Sequence, residues 1–247
     1  MHVTEKGKMT AHWIIKKFNP RDGVSSEELC TRYHDGDLSC APDEIQEIPF
    51  NRLLSEGITA ILNLIAGNAA TNFGNANAFL GVGDGVLSAL AGTSAITNGS
   101  AVVTGTGTSY TTEVDATGFV RYDADDLIAE VLSVDSDTQI TLVAAYAGSG
   151  GAAAAASVMA PVAQANTGLV GANTAYVAVE ATYPQIAAAT ITWRAVFDGA
   201  AANFHWREFT VANGNSNAAD NMNRKIQEAG VKAPGTTWNL ELQITLS

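Results

Sequence analysis

The 247 residues and 25.6 kDa supply enough chain for one large domain or two ordinary ones, with a core that folds without disulfide staples. Apolar residues make up 47% and charged residues only 15%, a low share for a soluble domain, so the surface is built of small uncharged side chains. Thirteen Lys and Arg against 25 Asp and Glu leave a formal net charge of −12, which opposes any sequence-independent grip on nucleic acid.

The chain opens on a strand pattern, Ala11-His12-Trp13-Ile14-Ile15-Lys16-Lys17-Phe18, closed by Asn19-Pro20-Arg21-Asp22-Gly23. Nothing before it forms the continuous apolar core of an export signal, and no apolar run reaches the length of a membrane span. Residues 22–47 hold eight acids (Asp22, Glu27, Glu28, Asp35, Asp37, Asp43, Glu44, Glu47) and little periodicity. We expect residues 1–48 to be an extended arm with one strand, its acidic part either a solvated connection or an arm lying across a neighbouring subunit. Cys30 and Cys40 read as structural thiols. A zinc reading through His34, Cys30-x3-His34-x5-Cys40, matches no standard finger and lacks a fourth ligand.

A helix follows, capped by Asn51 and stopped by Gly67, with Leu54, Ile58, Ile61, Leu62 and Ile65 on one stripe. That stripe is expected to pack on its own sheet, a partner-facing role being the alternative. Phe79-Leu80-Gly81-Val82-Gly83-Asp84-Gly85 reads as a buried strand running into a glycine turn. Val86-Leu87-Ser88 follows it where a phosphate loop needs Lys and Ser or Thr.

Residues 57–173 carry nine acids and a single base, Arg121. Within them, strands are expected at Ala101–Thr104, Gly118–Tyr122, Leu127–Val134 and Gln139–Ala144, separated by turns at intervals near those of a small barrel or sandwich. Gly148–Gly151 and Ala152–Ala156 have a linker's composition. Residues 92–161 therefore read as a β-module with its linker, inserted into a discontinuous host, 49–91 and 162–247. The host resumes with strands at Tyr176–Tyr183, Ala188–Phe197, Asn203–Val211, Asn223–Ala229 and Thr236–Leu246. In the last, Trp238, Leu240, Leu242, Ile244 and Leu246 alternate with Asn239, Glu241, Gln243 and Thr245, the pattern of a sheet with one wet face. The expected fold class is mainly β: an antiparallel sandwich or barrel host with one amphipathic helix, plus the small inserted β-barrel or sandwich.

Chemistry-bearing patterns are sparse. His2, His12, His34 and His205 stand at no ligand spacing, and His205 shares a strand face with Arg207 as a polar surface residue. Gly105-Thr106-Gly107-Thr108-Ser109 lacks the strand-to-helix context of a nucleophile elbow. Asp35/Asp37 and Asp125/Asp126 fit no calcium loop and read as turn acids. The alternation places Trp13, Trp193, Trp206 and Trp238 in the core. No catalytic, cofactor or metal residue is assigned, and the protein is not expected to be an enzyme.

The host framework carries Ile61-Leu62-Asn63-Leu64-Ile65, Phe73-Gly74-Asn75-Ala76-Asn77-Ala78, Gly81-Val82-Gly83-Asp84-Gly85, Ile191-Thr192-Trp193-Arg194-Ala195-Val196-Phe197, Asn203-Phe204-His205-Trp206-Arg207-Glu208, Asn223-Arg224-Lys225 and Gly235-Thr236-Thr237-Trp238. Through these motifs it resembles a family of tailed-bacteriophage virion proteins. The insert is similar to small β-modules of phage particles through Thr97–Thr108 and Ser136–Leu142. The resemblance implies a virion structural protein, assembled in the host cytoplasm: a capsid decoration or cement protein, or a tail, neck or fibre component. The implied partners are the major capsid protein or other virion subunits and further copies of the chain, a trimer being favoured, with neither nucleic acid nor membrane insertion. Asp22, Glu27, Glu28, Asp43 and Glu44 on the arm, with a basic patch of Arg224, Lys225 and Lys232, are the candidate assembly contacts.

Overall fold

The computed structural model describes residues 9–247. The protein is mainly β, with 45% strand and 11% helix arranged as three antiparallel sheets. It divides into two compact units: one formed by the chain up to Asp84 and from Gln164 onward, the other by Gly85–Ala163.

The first unit begins with β1 (Met9–Phe18), α1 (Ser26–His34), a 3-10 turn (Leu38–Cys40), β2 (Glu44–Pro49), β3 (Arg52–Leu53), α2 (Ser55–Ile65) and β4 (Phe79–Gly83). The second unit holds β5 (Ser88–Ala89), β6 (Thr93–Thr97), β7 (Val102–Thr106), α3 (Tyr110–Glu113), β8 (Phe119–Tyr122), β9 (Leu127–Ser136), β10 (Gln139–Leu142), β11 (Gly150–Ala154) and β12 (Ala156–Met159). The first unit then resumes with β13 (Thr174–Ala178), β14 (Gln185–Ala187), β15 (Thr190–Phe197), β16 (His205–Ala212), β17 (Asn223–Val231) and β18 (Thr237–Leu246).

Two five-stranded sheets make the first unit, ordered β14-β15-β18-β1-β2 and β13-β4-β16-β17-β3. Their facing residues form one core: Trp13, Ile15, Trp193, Phe197, Leu240 and Leu242 from one sheet, Leu80, Val82, Trp206, Phe209 and Val211 from the other. All four tryptophans lie inside. Trp206 sits edge-on to both Phe197 and Trp238 at 4.7 Å between ring centres, an arrangement that suits the aromatic quadrupole. In the second unit eight strands run in the order β11-β6-β7-β10-β9-β8-β12-β5 around a core of Ile96, Val103, Tyr110, Val131, Ile140 and Tyr146.

Residues 9–48 are not an arm; the remainder of the expected arm lies outside the described residues. β1 is an interior strand paired along its whole length with β18 and on its other side with β2. Within the acidic stretch, Ser25 caps α1 by accepting from the Glu28 amide, with Glu27 and Glu28 in the first turn and Arg32 and His34 in the last, each favourable to the helix dipole. Nine residues give such a helix only two turns and one short apolar stripe, Leu29, Cys30 and Tyr33, which is too little to register as periodicity.

That helix also corrects the wet face expected for β18. Asn239 is fully buried and Glu241 nearly so, because α1 lies over this end of the sheet, joined to it by a Ser26–Thr237 hydroxyl contact of 2.8 Å. Helix α2 starts later than Asn51 implies: Leu54 is its N-cap, held by a Leu54 N–H to Met222 carbonyl bond of 3.0 Å rather than by a side chain. The Gly- and Ala-rich tract from 148 to 156, linker-like in composition, forms β11 and the start of β12. Gly150 has φ +71° there, and a Cβ would meet the Ile96 carbonyl oxygen at 2.3 Å.

Candidate assembly surface

Of the eight candidate contacts, the five acids are at the surface. Asp43 accepts from the Asn19 amide at 2.7 Å and from Arg21 at 3.0 Å, and Glu44 accepts from Lys17 at 2.8 Å. Glu27 accepts from the Gly199 amide at 3.2 Å; Glu28 and Asp22 are exposed. The three bases do not form the expected basic patch. Arg224 is 3% exposed and Lys232 0%, while Lys225 is half-buried. Arg224 donates to Glu208 at 2.5 Å and to Asn166 at 3.1 Å; Glu208, itself fully buried, also accepts from the backbone amide of Val170 at 2.8 Å. These bases are structural members of the sandwich.

A second polar cluster lies beneath α1. Cys30 and Cys40 are buried as free thiols in an apolar nest with Phe18 and Leu29. His34 faces away from zinc chemistry, its Nδ1 lying 2.8 Å from an Arg194 guanidinium nitrogen. Arg194 in turn pairs with Glu180 and stacks over Tyr183 at 4.5 Å. Burial, with the Glu180 charge adding, pushes the Cys30 thiol up to about 12, so no thiolate forms at neutral pH. Burial first, then the charges of Arg194 and Lys16, hold the His34 imidazole down to about 4.

His34 therefore stays neutral in the folded protein while the unfolded chain protonates it near 6.5. Its contribution to stability is complete above pH 6.5 and falls away as the pH drops from 6.5 towards about 4. Since the ring is only half-buried, the expected loss is on the order of 1–2 kcal/mol after solvent screening. The calorimetric transitions of the sandwich in the protein and in His34→Gln should converge as the pH falls through that window; a constant gap would overturn the assignment.

His205 is not a free surface residue either: its Nδ1 lies 2.8 Å from Arg207 and its Nε2 3.3 Å from Glu228. Arg207, two residues on along the same strand face, is legible in the sequence; Glu228 comes from the neighbouring strand and is not.

Helix α2 ends in an exposed apolar stripe. Its packed side is Gly57, Ala60 and the partly buried Ile61, and Leu54 is fully covered at the entry. Past Ile61 the stripe leaves the sandwich: Leu62 is 59% exposed and Ile65 77%, with Leu64 beside them at 37%. Ile58, Leu62 and Ile65 follow one another at i, i+4 and i+7, so they share a face that only its first member begins to cover. No charged residue occurs from Gly57 to Gly83. An uncharged helix end of this kind is the form that protein contact sites take. Among the described residues no helix is long and apolar enough to cross a membrane. Comparison with models of known protein families, with curated proteins and with solved structures finds no match for this chain.

Proposed function

We propose that this protein is a structural subunit of a tailed-bacteriophage particle, a decoration or cement protein that binds the head shell as a homotrimer. The exposed apolar end of α2 is the observation that carries the reading. Copies bearing a net charge of −12 repel one another, and a contact between them is least opposed where carboxylates are absent, as from Gly57 to Gly83. The resemblance of its motifs to those of phage virion proteins suggests the particle context. In this reading α2 joins copies, and the exposed acids Asp22, Glu27, Glu28, Asp43 and Glu44 face basic sites on the shell. Shell binding should accordingly weaken with added salt.

Two measurements test this. Sedimentation should give a trimer for the protein and a monomer for the Leu62→Asp, Ile65→Asp double variant, with the far-UV circular dichroism unchanged because both side chains lie outside the chain's own core. Empty heads of the particle should then co-sediment with the protein and resist disruption better for it. A monomer that leaves heads undecorated would sink the proposal. A particle lacking Gly85–Ala163 that keeps robust heads but loses adsorption to cells would assign the protein instead to the tail, neck or fibre.

A further inference from the structure

Lys232 is a fully covered amine whose hydrogen-bond partners are uncharged; the carboxylates of Asp198 and Glu27 act on it from beyond salt-bridge distance. Nζ donates to the Asp198 backbone carbonyl at 2.6 Å and to the side-chain Oδ1 of Asn203 at 3.0 Å. An isolated ammonium in such a place is costly, whereas a neutral amine or an amide nitrogen is not. Burial lowers the lysine pKa, the charges of Asp198 and Glu27 only partly opposing it. The carboxamide carbon of Asn203 is bonded directly to the Oδ1 that Nζ contacts at 3.0 Å, so the amine and the carbon it would attack are held as neighbours.

We propose that Lys232 and Asn203 form an intramolecular isopeptide bond that staples the turn before β16 to the residue that follows β17. The Nζ lone pair adds to Cγ of Asn203, the Cγ–Nδ2 bond breaks, one proton passes from Nζ to Nδ2, and ammonia leaves. No oxidant or co-reactant is consumed. The carboxamide is held for this step by its Nδ2, which donates to the Gly199 carbonyl at 3.1 Å, while the amide of the same Gly199 donates to Glu27. The bond removes the buried charge and keeps an acceptor, the amide oxygen, in the same place. It does not depend on the phage reading.

Mass spectrometry of the full chain tests it directly. The expected intact mass is below that of the sequence by one ammonia, and trypsin should release residues 195–207 joined to residues 226–247, with no cleavage after Lys232. The branched peptide separates this reaction from ammonia loss at Asn98-Gly99 or Asn213-Gly214, which leaves the two segments apart. Asn203→Ala and Lys232→Arg should each abolish the branched species. Folded protein that yields residues 195–207 unlinked and is cut after Lys232 would overturn the proposal, as would a branched peptide that persists in Asn203→Ala.

Discussion

Glu208→Ala should cost about 3–5 kcal/mol of stability, the largest effect expected of any single substitution in the sandwich. The carboxylate is fully buried, and its removal strands the Arg224 guanidinium in a site with Asn166 as its remaining side-chain acceptor. It also leaves the Val170 amide without the oxygen that fixes the loop entering β13. Two-state analysis of a single transition is unsafe for a chain with two compact units, so calorimetry is the measurement of choice. The transition of the sandwich should drop by about 10 °C while that of Gly85–Ala163 stays in place. The double variant Glu208→Leu, Arg224→Met should recover much of the loss, since the penalty lies in the orphaned charge. A single variant with unchanged melting would show that the pair contributes nothing.

Gly57→Ala is the second. On helix propensity alone alanine is favoured over glycine by about 1 kcal/mol. Here a Cβ at position 57 would lie 2.3 Å from the Met222 Cα and 2.5 Å from its carbonyl oxygen, atoms of backbone that no rotamer change can move aside. The helix must lift off β17, loosening Ala60, Ile61 and the Leu54 N–H to Met222 bond. A net loss of about 1–3 kcal/mol is expected, read as a lower calorimetric transition of the sandwich, and a stabilised variant would refute the close approach.

The sequence makes some of this legible and hides the rest for identifiable reasons. β15, β16 and β18 are readable because a long run of strand-forming residues with apolar alternation is a local signal whether or not the second face is covered, and the core positions of the four tryptophans follow from it. α1 is hidden by its two turns, and β11 by side chains too small to show a pattern; its strand state is set by pairing with β6 across the sheet. Arg224 and Lys232 read as surface bases because charge alone does not reveal burial. Their partners, Glu208 and Asn203, come from the neighbouring strand or the turn before it, and only the fold brings them together. The exposed end of α2 is legible as a stripe, but not as one that outruns the sheet beneath it.

The placement of β1 bears on how the chain reaches this state. Its Lys16 pairs with Glu241, 225 residues later, so the middle of the first sheet closes only when both ends of the described chain are present. During synthesis β1 has β2 on one side and an unpaired edge on the other until β18 leaves the ribosome. Gly85–Ala163, whose strands pair only with one another, meets no such delay and is free to fold first. A nascent chain halted before β18 should therefore show a protease-resistant second unit and a protease-sensitive first strand, and would need protection from pairing with the wrong neighbour in the interval.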